Sequence, residues 1–270
     1  RWPSPSAIST PRPRSSARAP SADAGMMHTS RSYSLVVLAL LCAVFPGIVF
    51  ADESLDQARA RLTPPTVTFS FDFPRARPEH YSITVDSTGK AVYESREVIS
   101  LDADQPPSER YMTSFQVSET TRARIFDSAR QLNHFQGDFD YRKHRIAQMG
   151  RKALVWESGK ERFETIYNWS ENGLIDDLTR LFQGISNTQV FARRLTALRR
   201  HDKLGLEAEL KSMEEAAKSS PLGLAELQTI EPLLRSLVHD QAVMEIARKR
   251  AERLLRKAEA SSQAPGQPSP

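Results

Sequence analysis

Thr66-Val67-Thr68-Phe69-Ser70-Phe71-Asp72-Phe73 alternates polar and apolar residues over eight positions. Successive side chains of a strand point to opposite faces, so Val67, Phe69, Phe71 and Phe73 share one face. The stretch predicts a strand of an antiparallel sheet that is buried on one side. Pro74 and Pro78 end it. The alternation then resumes with Tyr81, Ile83 and Val85 set against Ser82, Thr84 and Asp86. Asp86-Ser87-Thr88-Gly89 has turn chemistry, and Ala91 to Ile99 predicts the returning strand of a hairpin. An acidic, proline-containing loop covers Leu101 to Arg110, and Tyr111 to Val117 predicts a further strand.

Helical spacing follows. Ser118 is a cap and Glu119 suits a helix N-terminus; Ile125, Phe126, Ala129 and Leu132 fall on one face. A polar loop from Asn133 to Gly150 contains Phe135, Phe139 and Tyr141. The scheme then repeats. Lys152 to Glu157 and Arg162 to Asn168 predict a second hairpin around Ser158-Gly159, and Ser170 is the expected cap of a second helix with Leu174, Ile175, Leu178, Leu181 and Phe182 inward. Two helices with one apolar face each suit one sheet face. The expectation is an α+β fold over residues 64–186, an antiparallel sheet covered by two helices on one face.

An all-α helical-bundle tail domain is expected over 187–260. Val190, Phe191, Leu195 and Leu198 mark one helix, interrupted at His201-Asp202 and Gly205. Leu206, Leu210, Met213 and Ala217 mark the next. Ser219-Ser220-Pro221 is a start signal for a third carrying Leu224, Leu227, Ile230, Leu234 and Leu237, with a kink expected at Pro232. Asp240 is the expected cap of a fourth, with Val243, Ala247, Ala251, Leu254 and Ala258 on its apolar side. Residues 261–270 read as a disordered tail.

Pro78-x-x-Tyr81-x-Ile83-x-Val85, followed by Gly89 and Tyr93, forms a recognisable pattern, supported by Tyr167 and the helix from Leu174 to Phe182. On these residues, 74–185 resemble an uncharacterised exported bacterial protein family, with two hairpin–helix units and a helical C-terminal region. The resemblance implies export and α+β architecture. It carries no activity and no site residues.

Upstream, residues 1–26 are rich in Pro, Ser, Ala and Arg and cannot bury a core. They read as a disordered extension, with the natural start at Met26 or Met27. Residues 27–51 read as a secretory signal peptide: His28 and Arg31, the 16-residue apolar run Leu35 to Phe50, then Val49-Phe50-Ala51 before Asp52-Glu53. The run is short for a membrane span. Cleavage near Ala51-Asp52 predicts a periplasmic or secreted chain. It would remove Cys42, the single cysteine, and with it any disulfide or thiol chemistry. Of 37 basic residues five precede Asp52, and of 33 acidic residues one does, which leaves 32 of each. A balanced chain excludes a bulk electrostatic case for nucleic-acid binding.

No Gly-x-Ser-x-Gly elbow and no glycine-rich phosphate loop occurs, so neither a catalytic residue nor a cofactor is assigned. The loop residues His134, Asp138, Asp140 and His144 are ligand types, yet Arg142, Lys143 and Arg145 among them would repel a metal ion. Asp102 and Asp104 precede Pro106-Pro107, which is unsuited to a calcium loop. Trp156, Tyr167 and Trp169 are candidates for stacking on a small ligand. Arg248, Lys249, Arg250, Arg253, Arg256 and Lys257 form a basic helix face, a candidate for an anionic partner or membrane surface. The expected function is an exported envelope protein, leaning non-enzymatic, that binds an envelope protein or small ligand. Membrane association through the basic helix and a hydrolase with dispersed carboxylates are the alternatives.

Overall fold

The computed structural model describes residues 63–74, 76–96 and 110–263. The leader, Cys42, Asp102 and Asp104 lie outside them. Six strands form one antiparallel sheet: β1 (Thr66–Asp72), β2 (His80–Asp86), β3 (Lys90–Arg96), β4 (Arg110–Gln116), β5 (Arg151–Ser158) and β6 (Glu161–Tyr167). Their spatial order is β4-β3-β2-β1-β5-β6. The β2–β3 turn is closed by Asp86, whose Oδ1 accepts from Thr88 N at 2.9 Å and Lys90 N at 3.0 Å, with Gly89 at φ +86°.

Registry explains the burial. Phe69 lies opposite Ile83 and Leu154, and Ile83 opposite Tyr93. All four point to one face and are fully or almost fully buried. Two helices cover that face. In α1 (Glu119–Gln131), Ser118 Oγ accepts from Thr121 N at 3.2 Å, as its sequence suggests. In α2 (Gly173–His201), Phe182 stacks on Phe69 with ring centroids 5.2 Å apart. The α+β architecture read from the alternation is therefore the observed one.

Several details differ from the sequence expectation. Asn172, not Ser170, caps α2: its Oδ1 accepts from Leu174 N at 3.0 Å and Ile175 N at 3.3 Å. Ser170 Oγ instead accepts from Asn172 N, just before the cap. The domain join expected at 186/187 falls inside α2, which runs unbroken for 29 residues. No proline interrupts it, and Gly184 is held helical by close packing against Leu222 and Ala225. Two hydrophobic clusters nonetheless meet on it, one reaching Ile185 and the other starting at Ala192.

The tail comprises the end of α2, α3 (Leu206–Ser219), α4 (Glu231–His239) and α5 (Glu245–Gln263) around Leu195, Leu210, Met213, Leu234, Ala251 and Leu254. Ser219 closes α3, and a run of turns follows Pro221 where a helix start was expected. Pro232 sits in the first turn of α4 and kinks nothing, because its missing N–H is not needed there. Asp240 ends α4 rather than starting α5. Its Oδ1 accepts from Ala242 N at 3.0 Å, and its carboxylate takes Lys203 Nζ at 3.1 Å.

Glu226 joins sheet and tail. Its backbone is left-handed (φ +60°), which aims the side chain at the start of α1. Its two oxygens accept from Ser118 N at 2.6 Å and Ser118 Oγ at 2.8 Å. A carboxylate at a helix N-terminus satisfies an orphan donor and complements the dipole.

Candidate functional site

Of the three aromatic candidates, Tyr167 and Trp169 line one cavity and Trp156 lies apart from it. Trp156 lies on the inner face at the Ser158 end of β5, buried, edge-on to Phe126 at 5.7 Å. Its indole is stacked at 4.3 Å by His134. That contact depends on a left-handed turn: Asn133, His134 and Phe135 have φ of +48°, +55° and +67°. His134 is thereby a packing residue. Tyr167 is buried at the other end of the sheet, its hydroxyl 2.6 Å from Thr179 Oγ1. Trp169 alone keeps an accessible ring, 36% exposed and edge-on to Tyr141 at 4.9 Å.

Lys152, unremarked in the sequence, organises this end. It shares the inner face with Leu154 and Trp156 and is only 6% exposed. Its ammonium donates to Asn168 O at 2.6 Å, Met149 O at 3.1 Å and Gly150 O at 3.3 Å. Nζ also lies 5.6 Å from the Phe71 ring centre and 6.0 Å from that of Tyr167. Burial pushes the ammonium pKa down, with the Asp140 charge opposing. The three carbonyls take all its protons, so Lys152 fastens the loop to the sheet and offers no free lone pair for nucleophilic chemistry.

Asn168 completes the fastening. Its N–H donates to Asp140 Oδ1 at 2.9 Å, its Oδ1 accepts from Met149 N at 2.7 Å, and its Nδ2 donates to Ala147 O at 2.9 Å. Three of the four loop residues read as potential ligands are thus occupied otherwise, His134 by its stacking on Trp156. Asp140 holds Asn168, and Asp138 pairs with Arg142 at 2.9 Å. A cavity of about 190 Å³ opens beside Trp169, Met149, Asp176, Thr179 and Gln183. Its polar floor is already partnered: Asp176 pairs with Arg180 at 2.5 Å, and Thr179 with Tyr167. The Trp169 ring and the Met149 side chain offer an apolar surface there, and Gln183 adds a polar group beside them.

The basic face of α5 is divided: Arg248 and Arg250 are half-buried, and Lys249, Arg253, Arg256 and Lys257 are exposed. Arg250 pairs with Glu207 at 2.9 Å and Glu214 at 2.5 Å, and Arg253 with Glu214 at 2.7 Å. Lys257 donates to Ala217 O at 2.7 Å, closing the end of α3. Lys249 and Arg256 pair with Glu245 and Glu252 on their own helix; Arg248 donates to Gln241. Burial alone would raise the Glu214 carboxyl, but hydrogen bonds from Arg253 and Arg250 bring it below the usual range. Among the described residues, no helix is long and apolar enough to cross a membrane.

The sheet's second face is a different surface. It carries Thr68, Ser70, Ser82, Thr84, Val92, Ala153 and Val155 at its centre. No element among the described residues covers it. Thr68 and Thr84 hydroxyls meet at 2.9 Å across the strands. Ile166 (44% exposed) and Met112 (62% exposed) stand on the β6 and β4 edges of this face. Charges occupy the two ends: Asp72, His80, Arg96 and Arg151 at one, Asp86, Lys90 and Glu157 at the other. At its centre Ala153 and Val155 are buried, 2% and 7% exposed, and charge enters the face at Glu94, opposite Ser82, and at Glu164, opposite Val155.

No protein-family model matches the chain, and no curated protein matches it.

Proposed function

We propose that the chain is an exported, non-catalytic envelope protein that works as a protein-interaction module through its open sheet face. One observation carries this reading: a six-stranded sheet with one face covered by two helices, while no element among the described residues covers the short polar side chains of the other. Interfaces have cores depleted in charge, and on this face the three central strands β1, β2 and β5 carry charge only at their ends. The leader-like pattern of residues 27–51 supports export. Lys152, Asn168, Tyr167 and Thr179 beside the Trp169 cavity already serve structural hydrogen bonds, which favours binding over turnover. The alternative of membrane attachment through α5 is weakened by its ion pairs to α3.

In-cell crosslinking of a C-terminally tagged chain, with and without Ser82→Arg, tests the proposal. Ser82 is central on the open face and half-buried by its neighbours, so arginine there blocks docking and leaves the core intact. A partner captured by the wild type and lost from Ser82→Arg is the expected result. Capture unaffected by Ser82→Arg, or turnover of an envelope substrate abolished by one polar substitution, would overturn it.

A further inference from the structure

The two edges of the sheet are unlike. β6 carries Glu161, Arg162 and Glu164 within seven residues. Charges of this kind discourage another strand from adding to an edge. β4 reads Arg-Tyr-Met-Thr-Ser-Phe-Gln, with a single charge at its first position, and Arg110 pairs with Glu94 at 2.5 Å. It has no proline and no glycine. Among the described residues nothing pairs with its outer side. On the covered face Tyr111 and Phe115 reach the core but are only partly buried by it.

We infer that β4 is the pairing edge for β4 of a second copy, joined antiparallel about a two-fold axis through Thr113. Opposite residues in an antiparallel pair lie on the same face, so the axis must pass through a residue. An axis at Thr113 uses all seven positions. It sets Tyr111 against Phe115, Met112 against Ser114, and Arg110 against Gln116. Each half-buried aromatic gains a cross-strand aromatic neighbour, and the two Arg110 side chains stay at opposite ends. Helices of both copies remain on one side. The two open faces then join into a single twelve-stranded surface, so the inference deepens the interaction-module reading and rests on it for its biological meaning.

The test uses the full chain with Cys42→Ser. Across the proposed axis the Thr113 Cα atoms lie about 4.5–5.5 Å apart, within reach of a disulfide. Ser114 is offset along the strands, and its Cα atoms lie beyond the limit of about 7 Å. Mild oxidation should crosslink Thr113→Cys into a dimer and leave Ser114→Cys monomeric. In sedimentation velocity, the wild type should shift from monomer to dimer with concentration. Met112→Lys with Ser114→Lys should lose the dimer, and Met112→Glu with Ser114→Lys should restore it. A wild type monomeric at every concentration, equal crosslinking at both positions, or no charge-swap rescue would overturn the inference. A monomer that still loses its partner on Ser82→Arg would sink the second-copy inference alone. A dimer with no Ser82-dependent partner would sink the module reading alone.

Discussion

Tyr167 reaches the core from the last position of β6, and Tyr81 from the second position of β2. Burial pushes both hydroxyls well above the ordinary tyrosine value, with Tyr93 adding to the effect at Tyr81 and the Thr179 hydrogen bond opposing it at Tyr167. The folded chain therefore holds protons that the unfolded chain releases above about pH 10. With the folded value raised, this stabilisation is complete below that pH and is lost as pH rises through and beyond it. Urea midpoints should fall between pH 9 and pH 11. Tyr167→Phe should cost about 1 kcal/mol at pH 7 through the lost Thr179 hydrogen bond, yet show a shallower alkaline fall. An equal alkaline slope in both proteins would rule this out. Lys152 shows what residue-level reading misses. A lysine at the start of a strand reads as solvent-exposed, and its carbonyl partners come from a loop with no periodic signature. The clue was positional: 152, 154 and 156 share one face, so Lys152 had to lie beside Leu154 and Trp156.

At the scale of elements, Gly184 gives a prediction whose sign opposes helix propensity. Alanine in a helix interior is favoured over glycine by about 1 kcal/mol. Here a Cβ at position 184 would sit 1.9 Å from Leu222 O and 3.1 Å from Ala225 Cβ. The crossing segment cannot simply lift away. Thr188 Oγ1 donates to Ala225 O at 2.7 Å, and Asn187 Nδ2 to Gly223 O at 3.2 Å. Gly184→Ala should therefore destabilise by about 1–3 kcal/mol, measured by urea unfolding; a gain in stability would show that the segment yields. Strands and the first helix were legible because alternation and the Ser118 cap are local. The unbroken α2 was not. Its continuity depends on residues 222–225, some 40 positions downstream, which convert a helix-weakening glycine into a contact point. Asp240 was misassigned for a similar reason: its side chain serves turn, cation and backbone at once, and only the fold shows which helix it adjoins.

For the whole molecule, α2 and Glu226 tie two hydrophobic clusters together, which predicts that they unfold as one. Ala225 from the tail segment belongs to the sheet-side cluster, and α2 supplies side chains to both. Leu254, 3% exposed on α5, lies far along the chain from the sheet. Leu254→Asp buries an unpaired carboxylate and should cost several kcal/mol. Loss of helical circular dichroism should coincide with loss of the near-ultraviolet signal of buried Trp156. A Trp156 signal that outlasts the helical signal would mean that sheet and tail unfold separately. The open sheet face was only half visible in the sequence: alternation marked Thr68, Ser70, Ser82 and Thr84 as outward, but whether another element lay on them is a property of the assembled fold.

The 29-residue α2 is a rod about 43 Å long at 1.5 Å per residue. One residue added to its middle would turn everything beyond it by about 100°, since a turn takes 3.6 residues. Glu226 would then miss Ser118, and Leu222 would miss Gly184. Insertions and deletions should therefore be purged from the middle of α2 and accumulate instead at the Ser158-Gly159 hairpin tip. Over evolutionary time α2 would keep its length while its exposed side chains drift, so that in descendants of this chain the spacing from Gly184 to Glu226 outlives the sequence between them.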